Sequence, residues 1–393
     1  MELTEKQKVG LDTALFRYNH GLGYTVISGY AGTGKSTLVK FIVSALHIPE
    51  EEIVYCAYTG KACKVLQQKG NNNVLTLHKL LYTFQALPDG TYIQKPKAKL
   101  DYHFIIVDEC SMLPQEMVDL LLKYMDTYII FLGDPFQLPP PAGEENNLLA
   151  NSHVFLDEIM RQALDSEIIK FSMDIREGRE LPDHYDGENV KIYKKDQLTT
   201  KHLEWADQIL CATNAMRQSV NNQMRDLNGM TGEPQVGDKI ICLKNNWDIF
   251  DDDGNALVNG TIGTIDSIET KFFPVYKYFK IPNNKVPYYQ INLTTEEGTH
   301  FNVRADINLF STGTPYLNDK QRYMLSRHKM FQNTPLPNSF AYAYAVTGWK
   351  AQGGEWGKVL VLEEPFPYDK LEHQRFLYTA ITRATNKVVI IKK

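Results

Sequence analysis

Residues 29–36 read Gly-Tyr-Ala-Gly-Thr-Gly-Lys-Ser, and this stretch restricts the fold of the chain more than any other part of the sequence. It fits the pattern G-x-x-x-x-G-K-[ST] and lies between an apolar run, Tyr24 to Ile27, and a helix-like run, Leu38 to Leu46. In this context the glycines let backbone N–H groups point at phosphate oxygens, and the dipole of the following helix favours the same negative charge. The pattern therefore predicts a nucleotide-binding loop. Its predicted phosphate-binding residues are Gly32, Thr33, Gly34, Lys35, Ser36 and Thr37.

Lys35 and Ser36 carry the chemistry of such a loop. The ammonium group of Lys35 can reach the β- and γ-phosphates, and the hydroxyl of Ser36 can hold Mg²⁺. A glycine-rich turn that binds no nucleotide is the alternative interpretation. The Gly-Lys-Ser ending and the flanking strand and helix favour the nucleotide site.

Two carboxylates, Asp108 and Glu109, follow a second apolar run, Phe104 to Val107. An acidic residue at such a strand end holds Mg²⁺ in P-loop enzymes, directly or through water, and this role falls to Asp108. Glu109 is placed to polarise the attacking water. A pair of surface acids is the alternative, and the P-loop upstream makes the catalytic interpretation the stronger one.

The composition is that of an ordinary globular protein. The chain has 393 residues, of which 43% are hydrophobic and 23% charged, and this length allows two or three domains. No apolar run approaches the length of a membrane span, and the first residues lack a signal-peptide core, so we expect a cytoplasmic protein. The five cysteines form no CxxC pair, which favours buried free thiols. The net charge of −5 counts mildly against nucleic acid but allows a local basic groove.

The order of apolar and helical segments predicts two α/β regions. The first 160 residues alternate strands with helices, which indicates a parallel sheet with right-handed crossovers. Between Leu80 and Leu100 two short strands flank Pro88-Asp89-Gly90, which predicts an inserted hairpin. A second α/β region begins near Glu158 and returns from Ala341, and a β-rich block from Gly237 to about Asn308 interrupts it.

Three further polar residues fit a site closed between two domains. Gln137, in Gly-Asp-Pro-Phe-Gln-Leu-Pro-Pro, follows an apolar strand and can read the state of the γ-phosphate. Arg161 and Arg383 can supply positive charge to that phosphate as arginine fingers. Surface positions are the usual place for arginine and remain the alternative.

The ordered motifs resemble those of the superfamily 1 helicases, in the RecD-like and Dda-like 5′→3′ branch. The motifs extend from one end of the chain to the other, and their joint order is far more specific than any one of them. They are Gln7, residues 29–36, Ala57-Tyr-Thr-Gly-Lys-Ala, Thr76-Leu-His-Lys-Leu-Leu, Asp-Glu-Cys-Ser-Met, Gly-Asp-Pro-Phe-Gln-Leu-Pro-Pro, Met160-Arg-Gln, Ala345-Val-Thr-Gly-Trp-Lys-Ala-Gln-Gly and Tyr378-Thr-Ala-Ile-Thr-Arg-Ala.

This resemblance implies an α/β fold of two RecA-like P-loop domains with parallel sheets, an inserted β-hairpin and a small SH3-like β-barrel. The first domain would span 1–157 with a wedge hairpin at 81–100, the second 158–236 and 338–393, and the barrel 237–337. At the hairpin tip, Phe84, Leu87, Pro88 and Tyr92 would split the duplex.

The resemblance also implies roles at the nucleotide. Gln7 would contact adenine, Asp108 and Ser36 would hold the metal, and Glu109 would be the general base. Gln137 would sense the γ-phosphate, and Gln352 and Gly353 would lie beside it. The residues implied to line the DNA path, with Phe84 and Pro88 of the hairpin, are Thr59, Lys61, His78, Thr213, Asn214, Thr347, Trp349 and Lys350.

For two of these positions, a structural role is the alternative to a DNA contact. His78 can instead be a hydrogen-bonded structural histidine. Trp349 replaces the histidine usual in this family, and its indole can stack on a base or pack in the core. The DNA role of Trp349 is therefore open.

The function implied is an ATP-dependent 5′→3′ DNA helicase of a bacterium or phage that uses ATP and Mg²⁺. Its partners would be single-stranded DNA and single-strand/duplex junctions, together with replication or recombination proteins. It would contact no membrane and would act as a monomer. A translocase that strips proteins from DNA without unwinding is the near alternative. A small-molecule P-loop kinase and a non-catalytic nucleic-acid-binding protein are the more distant ones.

Overall fold

The structure, a computed structural model, describes residues 3–86, 92–140, 144–160, 165–252, 256–326, 328 and 336–393, with the backbone alone at 84–86, 92–94, 247–248 and 326. The predictions made for Leu87, Pro88 and Arg161, and for the side chains of Phe84 and Tyr92, lie outside the described residues. The chain divides into two compact units. The first comprises Met1–Leu81, Lys97–Arg217 and Val346–Lys393, and the second comprises Tyr82–Pro96 and Gln218–Ala345.

The N-terminal part of the chain alternates strands and helices, as predicted. Its strands are β1 (Tyr24–Gly29), β2 (Ile53–Ala57), β3 (Val74–Thr76), β4 (Tyr82–Ala86), β5 (Tyr92–Pro96), β6 (Phe104–Val107), β7 (Tyr128–Gly133) and β8 (Val154–Leu156). Its helices are α1 (Glu5–Asn19), α2 (Lys35–Leu46), α3 (Gly60–Gln68), α4 (Leu77–Leu81) and α5 (Gln115–Leu121).

Six of these strands form a wholly parallel sheet in the first unit, in the order β3-β2-β6-β7-β1-β8. Every residue of β6 and β7 is buried, as expected for central strands that helices cover on both faces. Helix α2 packs its apolar side, Leu38, Val39 and Ile42, into the core beside Ile27 and Ile130. The parallel sheet predicted from the strand–helix alternation is confirmed.

The rest of the chain adds further strands and helices. The strands are β9 (Tyr185–Asp186), β10 (Val190–Lys194), β11 (Gln208–Cys211), β12 (Lys239–Cys242), β13 (Asn246–Phe250), β14 (Ala256–Leu257), β15 (Ile262–Pro274), β16 (Lys285–Thr295), β17 (His300–Asp306), β18 (Phe340–Tyr342), β19 (Ala345–Thr347), β20 (Trp356–Leu362) and β21 (Ala384–Lys392). The helices are α6 (Glu167–Arg176), α7 (Thr200–Trp205), α8 (Asn214–Leu227), α9 (Leu309–Thr312), α10 (Asp319–Ser326), α11 (Gly348–Ala351) and α12 (Lys370–Ile381).

A second sheet has the order β19-β11-β20-β21-β10-β9. Strands β11, β20, β21 and β10 are parallel to one another, and β9 pairs antiparallel with β10. Its central strands come from distant parts of the chain, since β11 ends at Cys211 and β20 begins at Trp356. The predicted return of α/β structure near the C-terminus is therefore confirmed.

The second unit is antiparallel. Its main sheet has the order β17-β16-β15-β12-β18, β13 pairs with β14, and β4 pairs with β5. This order leaves β17 and β18 at opposite edges, and a single bridge joins Ala305 to Asn338. The strands of the described part do not close into a barrel. Ile240, Ile291, Val303 and Phe340 fill the core of this sheet.

The sequence contains no apolar run long enough to span a membrane, and the helices of the structure can be compared with that observation. No helix in the described ranges combines the length and the apolar character needed to cross a membrane.

Candidate active site

The phosphate-binding loop joins the end of β1 to the start of α2. Gly34 has φ 78°, in the left-handed region, and a Cβ added there would lie 2.5 Å from Nε2 of Gln7. Gly34 is also the N-cap of α2, where no side chain caps the helix. The first N–H groups of α2 therefore lack a side-chain acceptor, and this arrangement suits phosphate oxygens. The loop fits a nucleotide.

Lys35 lies in the first turn of α2 and folds back over the loop. Its ammonium donates to the carbonyl oxygens of Gly29, at 2.7 Å, and Tyr30, at 3.0 Å. Ser36, the predicted metal ligand, is exposed beside it. Both side chains lie in the first turn of α2, and their contacts with phosphate and metal stay predictions.

Gln7 is only 1% exposed, and the protein itself uses its amide group. Its Oε1 accepts from the N–H of Thr4 at 3.0 Å, and its Nε2 donates to the carbonyl of Thr33 at 3.2 Å and to Sδ of Met160 at 3.3 Å. Gln7 therefore ties the start of α1 to the phosphate-binding loop. Contact with adenine stays a prediction.

Asp108 and Glu109 stand at the carboxyl end of β6. Oδ1 of Asp108 accepts from the N–H of Glu109 at 2.9 Å. Burial, and then the neighbouring Glu109 carboxylate, raise the pKa of Asp108 to about 6. Glu109 has φ 53°, a left-handed conformation that is uncommon outside glycine and tends to occur at functional sites.

Arg383, which follows α12, faces this acidic pair. Its Nη1 lies 3.6 Å from Oε1 of Glu109, and its side chain is largely buried. The guanidinium also donates to the carbonyls of Thr379, at 3.1 Å, and Gly354, at 3.4 Å. The structure brings together the predicted base and one predicted arginine, which are far apart in sequence.

The segment after β7 is held from the second sheet. The N–H of Leu138 donates to Oγ1 of Thr379 at 3.0 Å, and Nε2 of Gln352 donates to the carbonyl of Leu138 at 2.6 Å. The buried Oε1 atoms of Gln137 and Gln352 have no hydrogen-bond partner within the described residues. Buried acceptors of this kind commonly bind an ordered water molecule.

Sequence reasoning missed two residues of this region. The hydroxyl of Tyr378 accepts from the N–H of Ala31 at 2.8 Å and donates to Oδ2 of Asp134 at 2.6 Å. The guanidinium of Arg176 lies over the ring of Tyr30, 3.7 Å from its centroid. Tyr378 stands inside a recognised motif, which was the available signal, whereas the sequence around Arg176 offered none.

Two predicted DNA-path residues, Thr59 and Lys61, lie at the start of α3, close to the segment after α11. Thr59 caps α3, since its Oγ1 accepts from the N–H of Ala62 at 3.2 Å. The ammonium of Lys61 lies 3.6 Å from the ring centroid of Trp356. A Cβ at Gly353, where φ is 73°, would come within 2.9 Å of Oγ1 of Thr59. The structure therefore connects these residues to the predicted γ-phosphate side of the second sheet.

Thr213 is engaged at the start of α8. Its N–H and Oγ1 donate to Glu364 at 2.9 and 2.5 Å, and its Oγ1 accepts from the N–H of Met216 at 3.1 Å. Its hydroxyl therefore serves the helix cap, and sequence reasoning missed Glu364. Asn214 is exposed next to it.

The remaining predicted DNA contacts differ in exposure. Burial lowers the pKa of His78, whose ring lies 5.5 Å from that of Tyr58. Thr347 is buried at the end of β19, and Trp349 and Lys350 are half-buried on α11. The indole of Trp349 is thus neither fully enclosed nor fully exposed, and its contact with DNA stays a prediction.

The polar groups present fit Mg²⁺ bound with a nucleotide. In the parts of the chain that the structure covers, no group of three or more His, Cys, Asp or Glu side chains is arranged to hold a metal ion. Mg²⁺ needs no such cluster, because it usually takes one or two protein oxygens together with phosphate oxygens and water. Ser36 and Asp108 would be those protein ligands.

The fold and this site define a P-loop protein with a RecA-like parallel-sheet core. Residues 2–201 match the model of the family described as AAA domain, and residues 342–391 match the UvrD-like helicase C-terminal domain. The first match covers half of the chain, so the chain belongs to that family. Together with the relatives below, the matches place it among the superfamily 1B helicases of the RecD and Dda type.

Two curated relatives and one solved structure illustrate the likeness. The ATP-dependent RecD2 DNA helicase of Deinococcus radiodurans is 25% identical over 421 residues, covering 98% of this chain and 48% of the relative. The ATP-dependent DNA helicase dda of Enterobacteria phage T4 is 28% identical over 210 residues, covering 50% of this chain and 47% of the relative. The chain thus spans about half the length of these relatives.

The solved structure is that of Pif1 helicase from Bacteroides in complex with ADP-AlF3 and single-stranded DNA. It has a TM-score of 0.54 at 16% identity, and the match covers 99% of this chain and 92% of that one. At this identity the likeness establishes the fold alone.

Proposed function

We propose that this protein is an ATP-dependent DNA helicase that hydrolyses ATP beside the P-loop and moves 5′→3′ along single-stranded DNA. The short distance between Arg383 and Glu109 supports the proposal most directly. Arg383 lies 3.6 Å from Glu109, so an arginine after the last helix meets the acid at the end of β6. Such an arrangement would make hydrolysis depend on how the two sheets of the first unit are held together. The names of the RecD2 and Dda relatives, and the single-stranded DNA in the Pif1 complex, support the same class of activity.

We assign the steps of hydrolysis to residues at the ends of strands and helices. Lys35 and the N–H groups at the start of α2 would hold the phosphates, and Ser36 and Asp108 would hold Mg²⁺. The bound ion supplies positive charge to the phosphate oxygens. Glu109 would accept the proton of the attacking water, and Arg383 would stabilise the charge that develops on the transferred group.

The contacts of the Gln137 segment support coupling between hydrolysis and DNA movement. The N–H of Leu138 donates to Thr379, and the carbonyl of Leu138 accepts from Gln352. Gly353, the residue after Gln352, lies against Thr59. A change at the γ-phosphate would therefore reach α3 through a short chain of contacts. We include Arg161 as a second arginine finger and Gln7 as the adenine contact, on the basis of the motif alone.

We propose the DNA path and the modules on the same basis. Thr59, Lys61, His78, Asn214, Thr347, Trp349 and Lys350 would face the strand, while Thr213 would act through its helix cap. The β4–β5 pair would be the wedge, and the β-rich block at 237–337 would be the SH3-like module between the two parts of the second RecA-like domain. The enzyme would act as a monomer.

The decisive experiment measures ATP hydrolysis and unwinding with Lys35→Ala. Wild-type protein should show ATPase activity that single-stranded DNA stimulates, and it should unwind duplexes that carry a 5′ tail. Lys35→Ala should lose both activities and still fold, because its side chain bonds to the loop carbonyls of Gly29 and Tyr30 and is not part of the apolar core. Lys40→Ala, an exposed lysine on the same helix, should behave as wild type.

The outcomes separate the alternatives. Unwinding by purified Lys35→Ala would exclude the motor, and preference for a 3′ tail would exclude the 5′→3′ direction. ATPase activity that DNA does not change would favour a small-molecule kinase. DNA stimulation without unwinding of any tailed duplex would favour the translocase.

A further inference from the structure

One buried hydroxyl joins three segments of the first unit. Tyr378 on α12 is 1% exposed, and its hydroxyl accepts from the N–H of Ala31 in the phosphate-binding loop at 2.8 Å. The same hydroxyl donates to Oδ2 of Asp134, after β7, at 2.6 Å. Tyr378 therefore bonds to the phosphate-binding loop and to the Gln137 segment at once.

The second contact fixes a whole turn. The other oxygen of Asp134, Oδ1, accepts from the N–H of Phe136 at 2.9 Å, and the ring of Phe136 meets that of Tyr378 edge-on, 5.3 Å between centroids. Leu138 is held at the far end of the turn by Thr379, the next residue of α12. Gln137 lies between these two anchors.

We propose that Tyr378 is a positioning residue for ATP hydrolysis, whose hydroxyl sets the Asp134–Leu138 segment, and thereby Gln137, against the phosphate-binding loop. The proposal rests on the function proposed above and deepens it. Tyr378 would act through Ala31 and Asp134 without touching the reacting atoms. Helix α12 carries Tyr378 and ends next to Arg383. It therefore links the hydroxyl of Tyr378 directly to the proposed arginine finger.

The protonation of the two groups supports this role. Burial, with the nearby Asp134 carboxylate, keeps the pKa of Tyr378 well above its ordinary value, so the phenol stays a donor at neutral pH. Burial raises the pKa of Asp134, while nearby Lys35 and the hydrogen bond from Tyr378 oppose that rise. Removing the hydroxyl would leave a buried carboxylate oxygen without this donor and the Ala31 N–H without its acceptor.

The test compares Tyr378→Phe with Tyr128→Phe. Tyr128 is another buried phenol of the first unit, bonded to Oγ1 of Thr25 at 2.5 Å and to the carbonyl of Ala14 at 3.2 Å. In the 393-residue chain with saturating single-stranded DNA, Tyr378→Phe should lower kcat for ATP by about 10- to 100-fold, because small misplacements of catalytic groups cost that much. KM for ATP should change by no more than about two-fold, since the groups that hold the phosphates remain. Tyr128→Phe should leave kcat and KM unchanged.

Asp134→Asn supplies the second measurement. If Tyr378 acts through Asp134, the double variant Tyr378→Phe/Asp134→Asn should have a kcat close to that of the worse single variant, so the effects are non-additive. Multiplicative losses would overturn the proposal, as would an unchanged kcat in Tyr378→Phe or an equal loss in Tyr128→Phe. If Tyr378→Phe does not fold, a wild-type kcat in Asp134→Asn overturns it. Absence of DNA-stimulated ATPase in the wild type would instead refute the function itself.

Discussion

At the scale of single residues, the ion pair between Glu109 and Arg383 matters most for the proposed mechanism. Their side chains are 20% and 6% exposed, and 3.6 Å separates Oε1 of Glu109 from Nη1 of Arg383. Opposite charges in a largely buried site hold each other in place, and removing one partner leaves the other charge without compensation. The pair thus keeps an acid and an arginine together, as the proposed mechanism of hydrolysis requires.

Arg383→Ala tests the catalytic part of this pair. It should lower kcat of the DNA-stimulated ATPase by about 10³-fold or more, the usual effect of an arginine finger, with a much smaller change in KM for ATP. Steady-state kinetics with saturating single-stranded DNA measures this. Arg375→Ala is the matched control on the same helix, since Arg375 meets only the exposed Glu145 at 3.9 Å in the described ion pairs. A loss of kcat below about ten-fold would contradict the finger role.

At the scale of elements, Glu364 joins the ends of two neighbouring parallel strands. It follows β20, and its carboxylate accepts from the N–H groups of Ala212 and Thr213 after β11, at 2.6 and 2.9 Å, and from Oγ1 of Thr213. Thr213 in turn caps α8. One buried carboxylate therefore holds the end of β11 and the residue that caps α8.

Glu364→Ala should destabilise the fold, because three donors lose a charged acceptor. We expect the free energy of unfolding to fall by roughly 2–4 kcal/mol, the range for breaking a buried network of charged hydrogen bonds. Urea denaturation followed by circular dichroism measures the change. The exposed Glu204→Ala on α7 should stay within about 0.5 kcal/mol of wild type. If Glu364→Ala and Glu204→Ala have equal midpoints of urea denaturation, Glu364 does not stabilise the neighbouring ends of β11 and β20.

At the scale of the whole molecule, the second unit is made of two insertions into the first. The chain leaves the first unit after Leu81 and after Arg217, and it returns at Lys97 and at Val346. At the first insertion the N–H of Lys97 donates to the carbonyl of Leu81 at 2.8 Å. The two ends of this insertion are therefore adjacent, and a short linker can replace it.

Replacing residues 82–96 by two glycines separates translocation from strand separation. If β4 and β5 form the wedge, the variant should keep ATPase activity that single-stranded DNA stimulates and should lose unwinding of 5′-tailed duplexes. Displacement of streptavidin from 3′-biotinylated single-stranded DNA is the internal control, and it should persist. Unwinding at the wild-type rate would assign strand separation to another part of the molecule.

Local sequence was enough to predict much of the architecture. The strands β1, β2, β6 and β7 are buried on both faces. Strands of this kind are nearly continuous apolar runs in the sequence, so these runs predict a parallel sheet that helices cover on both faces. Motif spacing likewise predicted that Asp108 follows a core strand. The described strands of the β-rich block do not close into the barrel that the resemblance implies. Closure depends on pairing between edge strands distant in sequence, which local sequence does not record.

By itself, the sequence determined the phosphate-binding loop, the strands that carry the site and the family to which the chain belongs, since each depends on residues within one short segment. Only the tertiary structure decided which side chains meet. The Tyr378 hydroxyl and the Ala31 N–H are 347 positions apart, and Thr213 and Glu364 are 151 apart. Hydrogen bonds of this kind require two segments to be brought within 3 Å by the packing of sheets and helices, and no periodicity or local motif records that distance.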